Sequence, residues 1–335
     1  MFEPVTIKDI AIALGLSTST VSRALRDTHE ISAATKKLVL DYAKEINYQP
    51  NPIALSLKER RSKSIGVVVS EVANSYFSQA INGIESIAYN QGYHVIISQT
   101  HESYEREVIN VNHLASRSVD GLLISVSSLT EDISHLKNLH DKGLPIVFFD
   151  RIAEEINTHK VTSNNENGAF DATQHLIKSG SKRIAHLTSS SHLSITKERL
   201  IGYKNALNAN GLLIDDSYIK YCSHGGMIYE EIENAIKELM ALPEKPDAIF
   251  VGGDRLCTGC LTVLKKLKIN GISLAGFSNS DALDLFNPSL TSVRQPAFEI
   301  GQLATEKLLQ LIEAKYPVQE FEKNVLATDL FVRNH

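Results

Sequence analysis

A small all-helical head followed by a larger two-lobed α/β body with parallel sheets is the architecture that the sequence predicts, a multidomain α and α/β chain. Three observations carry it. Residues 6–46 hold three short stretches whose apolar residues recur at helical spacing. From Ile65 onward, apolar runs of strand composition alternate with amphipathic helical stretches, which calls for a parallel sheet covered on both faces. That alternation begins again near Val161, so the body has two comparable halves. A length of 335 residues suits two to three domains.

In the head, Ile7, Ile10, Ala11 and Leu14 form one apolar face, with Thr6 as the cap and Asp9 three residues on. Gly15 breaks the pattern, Ser17 can cap again, and Val21, Ala24 and Leu25 make a second short face. Two short helices around a tight glycine turn make a helix-turn-helix. The second helix presents Thr18, Ser19, Ser22 and Arg23: short hydroxyls that can approach base edges, and one guanidinium that can fork onto guanine. This favours DNA binding over an ordinary helical hairpin. Ser32 begins a third helix whose packing face is Leu38, Tyr42, Ala43 and Ile46. Pro50 then stops the helix, Asn51 can cap a new one and Pro52 suits its first position. A helix over Ile53–Leu57 is too short to stand alone in water, so it needs DNA or a twin chain. The charged residues Lys58, Glu59, Arg60, Arg61 and Lys63 follow as a linker.

The body reads as strand IGVVV, helix NSYFSQAINGIESIAYNQG ending at Gly92, strand HVIIS, helix YEREVINVNHLASR, strand GLLIS, helix LTEDISHLKNLHDKG and strand PIVFFD. The second half reads as NNENGAFDATQHLIKSG, RIAHLTS, TKERLIGYKNALNANG, IYEEIENAIKELMAL, DAIFVGG, LCTGCLTVLKKLK and GISLAGF. PAFEIGQLATEKLLQLIEA is a late helix and NVLATDLFVRN a final strand, so the chain crosses back between the halves.

Net charge is −5, yet residues 1–63 carry ten Lys/Arg against seven Asp/Glu, an excess of +3 that leaves −8 on the body. A basic head on an acidic body fits a small DNA-reading module on a larger domain of other purpose. No apolar run approaches the roughly 20 residues that span a bilayer, and the first residues lack a basic stretch followed by an apolar one, so a cytoplasmic protein without a membrane partner is expected. Cys257 and Cys260 have CxxC spacing but no second pair, and both read as small core residues. Phosphate-cradling, nucleophile-elbow and zinc-protease motifs are missing, so neither enzymatic activity nor a cofactor is expected.

TIKDIAIALGLSTSTVSRAL through NYQPNPIALSL, with KRIAHL, ERLIGYKNAL and PSLTSVRQP in the body, resembles the lactose-repressor/galactose-repressor family of bacterial transcription regulators over the whole chain. The resemblance implies a head over 1–48, a hinge helix and linker over 49–63, and a periplasmic-binding-protein-like core over 64–335. Its first lobe would span about 64–161 and 293–321, and its second about 162–292 and 322–335. It places Thr18, Ser19 and Arg23 at base-reading positions, and Thr6, Ser17 and Ser22 at phosphate-contacting or capping ones. The hinge residues Asn51, Ala54 and Leu57 would also meet DNA, with Leu57 as an apolar wedge in the minor groove. An effector would lie between the lobes against Tyr76, Phe77, Asp150, Arg199, Asp254 and Ser278, with Arg199 as its main grip.

Two departures stand out. GFSNS offers Ser278 and Asn279 where many sugar-responsive members carry acids, and Gly253 stands where many have asparagine. Fewer carboxylates opposite Arg199 would suit an acidic or larger ligand at least as well as a neutral monosaccharide. His224 lies in a loop that often adds a ring to the pocket. The end, LFVRNH, has no leucine heptad, so a homodimer rather than a tetramer is expected. The implied function is a sequence-specific repressor whose affinity for an inverted-repeat operator on double-stranded DNA is set by a small effector, a sugar or sugar derivative. The competing readings are a periplasmic-type solute receptor without DNA function and an enzyme of the ribose- or nucleotide-processing kind.

Overall fold

In a computed structural model, which describes residues 5–26, 31–49, 61–117, 119–282 and 290–332, the chain forms two units, Met1–Ser62 and Lys63–His335. The hinge residues Asn51, Ala54 and Leu57 lie outside the described residues.

In the first unit α1 (Ile7–Leu14), α2 (Thr18–Leu25) and α3 (Ala33–Glu45) pack on Ile10, Ala11, Val21, Ala24, Val39 and Ala43. A capping box starts α1: the Thr6 N–H and hydroxyl donate to Asp9 Oδ2 at 2.8 and 2.7 Å, and the Asp9 N–H reaches back to Thr6 Oγ1 at 3.4 Å. These bonds hold the Asp9 carboxyl below its ordinary pKa. Gly15 ends the helix in the left-handed region at φ 63°, which a side chain would strain. Ser17 caps α2 through the Thr20 N–H at 3.1 Å. One expectation fails on α3: Val39, not Leu38, is buried, and Leu38 is 50% exposed. The helix is rotated so that Val39 and Ala43, four residues apart, form the seam.

The second unit holds two six-stranded sheets. The first has the order β11-β5-β4-β3-β1-β2 and the second β12-β10-β9-β8-β6-β7. In chain order the elements are β1 (Ser64–Val69), α4 (Ser75–Asn90), β2 (His94–Gln99), α5 (Tyr104–Ser116), β3 (Gly121–Ile124), α6 (Ser134–Asp141), β4 (Ile146–Phe149), β5 (Lys160–Ser163), α7 (Asn165–Lys178), β6 (Ile184–Thr188), α8 (Ser194–Ala209), β7 (Ile219–Tyr221), α9 (Tyr229–Ala241), β8 (Ala248–Val251), α10 (Asp254–Lys266), β9 (Ser273–Phe277), β10 (Leu290–Arg294), α11 (Ala297–Glu313), β11 (Lys323–Leu326) and β12 (Asp329–Phe331). Every strand pair is parallel except β10 with β12. The inner strands are buried on both faces and accordingly read as unbroken apolar runs. Cys222, Cys257 and Cys260 are buried core residues, and the Cys257 thiol donates to the Phe277 carbonyl at 3.4 Å.

The lobe boundaries differ from those expected. Ser163 still belongs to the first sheet, Leu290–Arg294 lies wholly in the second, and Lys323–Leu326 returns to the first beside β5. NVLATDLFVRN is therefore two strands, split at Ala327 and Thr328, one in each sheet. The chain changes lobe at Asn164, at Gln295–Pro296 and at Ala327–Thr328. Backbone pairing decides this: β11 takes the open edge of β5 and β12 that of β10.

His186 sits at the centre of the second lobe, stacked between Tyr203 and Phe250 at centroid distances of 5.2 and 4.7 Å. Burial depresses its pKa to about 4, against a hydrogen bond between Nδ1 and the Phe250 carbonyl at 3.1 Å that works the other way. The unfolded chain therefore binds a proton between pH 6.5 and about 4 that the folded chain does not. We expect acidification from pH 8 to pH 5 to cost about 2 kcal/mol through this residue. Urea unfolding at the two pH values should show a smaller loss in His186→Phe; an equal loss would mean that other groups set the acid limb.

Candidate effector cleft

The residue directly after each of several strands faces one cavity between the two sheets. Ser70 follows β1, Asp150 β4, Ser189 β6, Gly252 β8 and Gln295 β10, and all line it. Ligands in open parallel sheets gather outside the carboxyl ends of strands, near the point where strand order reverses. Here that point lies between β1 and β3 in the first lobe and between β6 and β8 in the second. The cavity has a volume of about 50 Å³.

Arg199, on the second turn of α8, forms its floor and is 3% exposed. Its Nε donates to Asn165 Oδ1 at 2.9 Å, Nη1 to the Gly252 carbonyl at 2.7 Å and Nη2 to Gln295 Oε1 at 3.4 Å. Its guanidinium carbon lies 3.8 Å from the Phe277 ring centroid. Burial lowers its pKa to about 10, offset by the Asp150 carboxylate, so it stays cationic at neutral pH. Asp150 is held at φ 61°, a left-handed conformation that few side chains adopt. Burial raises its pKa, opposed by Arg151 and Arg199. Glu102, which also lines the cavity, and the preceding His101 are left-handed too, at φ 59° and 50°. Such backbone costs roughly 1–3 kcal/mol per residue and collects at functional sites.

Tyr76 and Phe77 lie in the first turn of α4, where Asn74 Oδ1 accepts their N–H groups at 2.9 and 3.2 Å. The two rings meet edge to face at 5.3 Å. Tyr76 faces Asp150, and burial above all pushes its phenol well up. Asp254 opens α10 in the second lobe; Ser278 Oγ donates to its carboxylate, and the amides of Tyr76 and Ser75 favour its charged form against burial.

Five of the six nominated residues, Tyr76, Phe77, Asp150, Arg199 and Asp254, thus line one cavity, and Ser278 touches it through Asp254. His224 does not line it; its ring pairs with Glu231 at 2.7 Å. The sequence reading missed Glu71, Glu102, Arg151, Arg255 and Gln295. Arg151 and Arg255 could have been found as the residues after Asp150 and Asp254, and Gln295 lies in the quoted PSLTSVRQP motif. Glu71 and Glu102 had no signal in the sequence, because only the fold brings them opposite those arginines. Glu102 accepts from Arg151 Nη1 and the Ser128 N–H, both at 2.7 Å. Glu71 accepts from Arg255 Nε at 2.8 Å.

In the head, Thr18, Ser19 and Arg23 are exposed on α2 and Ser22 partly so. Ser17 is occupied as the α2 cap and Thr6 as the α1 cap.

A helix-turn-helix joined to a two-lobed cleft defines a class of ligand-binding DNA-binding protein. Residues 6–51 match the model for bacterial regulatory proteins of the lacI family, and residues 62–330 that for periplasmic binding proteins and the sugar-binding domain of the LacI family. The chain belongs to the LacI family and is a DNA-binding transcriptional regulator. It is 32% identical to the transcriptional repressor PurR of Vibrio campbellii, over 98% of both chains. It is 33% identical to the repressor CytR of Escherichia coli K12, over 93% of this chain and 91% of that one. Among solved structures it resembles the regulator CelR in complex with cellobiose, at 28% identity and a TM-score of 0.71, over 98% of this chain and 99% of that one. These relatives are regulators rather than enzymes. No helix among the described residues is long and apolar enough to cross a membrane.

Arg199 holds α7, β8 and β10 together, so it also has a structural cost. Arg199→Ala should lower core stability by about 2–4 kcal/mol, since it strands three buried acceptors and leaves a void. Urea unfolding measures this; a loss below roughly 1 kcal/mol would show that the acceptors find other partners.

Proposed function

We propose that this protein is a cytoplasmic, homodimeric repressor whose affinity for an inverted-repeat operator is set by a small uncleaved effector, a sugar or sugar derivative, in the cleft. The carrying observation is the convergence of Arg199, Asp150, Tyr76, Phe77 and Asp254 on one cavity at the carboxyl ends of both sheets. The match to a sugar-binding domain and the cellobiose held by the similar regulator CelR support the effector class. The relatives PurR and CytR are named as repressors, which supports the sign of regulation.

In this reading Thr18, Ser19 and Arg23 meet base edges, while Thr6, Ser17 and Ser22 fix register on the phosphates. The hinge, 49–63, links head and core, with Asn51, Ala54 and Leu57 as its DNA contacts. The dimer would use the edge strand β2 and its flanking helices, where Tyr89, Ile96, Ile97 and Ile109 are 79, 40, 41 and 63% exposed. Two heads on a twofold axis account for an operator of two inverted half-sites.

Two experiments test this. Arg23→Ala should cost roughly 1–3 kcal/mol of affinity for a selected palindromic site and leave core stability unchanged. Unchanged operator affinity would remove Arg23 from base reading. Arg199→Lys keeps the charge but loses the fork and the flat face on Phe277. Operator titrations with and without the effector found by a ligand screen should show the wild-type response, typically a coupling of about 1–3 kcal/mol, abolished in Arg199→Lys. A full response in that variant would move the effector out of the cleft.

A further inference from the structure

The two lobes meet on both faces of the first sheet, and the two contacts have opposite chemistry. On the face that carries α6, the contact is apolar. Leu193 and Ile195, at the start of α8 in the second lobe, are buried in a cluster with Val126, Leu136, Ile152 and Ile156 of the first. Between them, Ser194 Oγ accepts the Ile152 N–H at 3.4 Å. On the face that carries α4, the contact is polar. Arg255, on the first turn of α10 in the second lobe, donates from Nε to Glu71 Oε2 at 2.8 Å, and its Nη2 meets the same oxygen. Nearer the lobe connections, Gln79 of α4 donates to the Asn279 carbonyl at 3.3 Å and accepts from Asn279 Nδ2 at 2.7 Å.

The cavity between the lobes, about 50 Å³, has room for a few water molecules. Sites for small molecules run to roughly 300–1,000 Å³, so a larger guest requires the lobes to part. Which contact yields follows from what each costs to break. Undocking Leu193 and Ile195 returns two buried aliphatic side chains to water. The Glu71 and Arg255 side chains are 14 and 37% exposed, so on separation both charges rehydrate and little is lost. The polar face gives first.

We propose that Glu71 and Arg255 form a clasp that holds the lobes closed, and that the seat of Leu193 and Ile195 is the pivot about which they part. Opening then exposes the cavity on the side where α4 and α10 begin. The ion pair biases a two-state equilibrium, so it tunes the response to any ligand that favours one state. That bearing on regulation rests on the cleft being the effector site; the motion does not.

The test is a distance measurement between spin labels by pulsed electron paramagnetic resonance, on the full-length chain with no ligand added. The native cysteines Cys222, Cys257 and Cys260 are buried, so labels go to introduced ones. Asn82→Cys on α4 with Thr262→Cys on α10 reports the clasp, and Asn138→Cys on α6 with Lys197→Cys on α8 reports the pivot; all four positions are exposed. An excess of unlabelled chain keeps the measured distances within one molecule. The backgrounds are wild type, Glu71→Arg, Arg255→Glu and the two exchanges together, each shown by thermal melting to be folded. In wild type the clasp pair should give one short distance, with a longer population below about a tenth. Either single change turns attraction into repulsion between unit charges a few ångströms apart. It should shift the balance about tenfold or more, bringing the longer population to about half. The two exchanges together restore opposite charges and should return the short distance. The pivot pair should not lengthen in any background.

A wild type already spread over both distances would overturn the proposal, as would folded single variants that keep the wild-type distance. A double exchange as open as the single variants, or a pivot pair that lengthens with the clasp pair, would also overturn it. If the distances behave as stated and operator affinity is the same in every background, it is the effector reading of the cleft that fails.

Discussion

A guanidinium removed from water must find acceptors on every side, and Arg199 finds them on three different elements: the first residue of α7, the carbonyl after β8 and the side chain after β10. Its flat face is covered by the last residue of β9. None of these groups is near another in sequence, yet the cation fixes all of them relative to α8. Asp150, across the lobe boundary, supplies the field that keeps the charge tolerable. The cleft floor is therefore a consequence of solvating one buried charge with protein dipoles in place of water. Gln295 extends this further: its amide also donates to Ser163 at 2.6 Å and its N–H to Asn279 at 3.0 Å, so the floor is continuous with two of the lobe connections.

The opposite wall is built on a different principle. Glu107 and Glu102 are buried acids whose oxygens accept the consecutive amides of Ser127 and Ser128, at 2.6 and 2.7 Å, and so pin the loop after β3. Glu102 then carries Arg151, and Glu107 carries His135 at 3.0 Å. Glu102 makes these bonds from a left-handed backbone conformation. Across the cavity stands Gly225 at φ 59°, where an added Cβ would lie 3.0 Å from Glu102 Oε1. A side chain at that position would crowd the Glu102 carboxylate and strain the backbone.

Much of this was legible in the amino-acid sequence. Strand and helix alternation depends on local periodicity, so the elements could be read directly, while the nominated cleft residues came from the resemblance to the family. Thr6, Gly15 and Ser17 announced the head because capping and left-handed turns are chemistry of neighbouring residues. What local patterns cannot carry is pairing between distant segments. The division of NVLATDLFVRN between two sheets depends on which strand edges stand open, and the partners of Arg151 and Arg255 lie 49 and 184 residues away. Leu38 and Val39 are adjacent apolar residues on α3; choosing between them needs the crossing of α3 over α1 and α2, not its own period.

The pairing of β5 with β11, Lys160 against Lys323, has a consequence for how the chain is made. A ribosome delivers five of the six strands of the second sheet, β6 to β10, as one uninterrupted segment. The first sheet must wait, with β1 to β5 already out, for an edge strand synthesised more than 150 residues later. The helix α11, whose Ala297, Ile300, Ala304 and Leu308 complete the same hydrophobic layer, arrives just before it. Both lobes thus wait for the last strands of the chain, β11 for the first sheet and β12 for the second. Until then a long apolar face and an unpaired strand edge stand open, the condition in which nascent chains depend on chaperones or associate with one another.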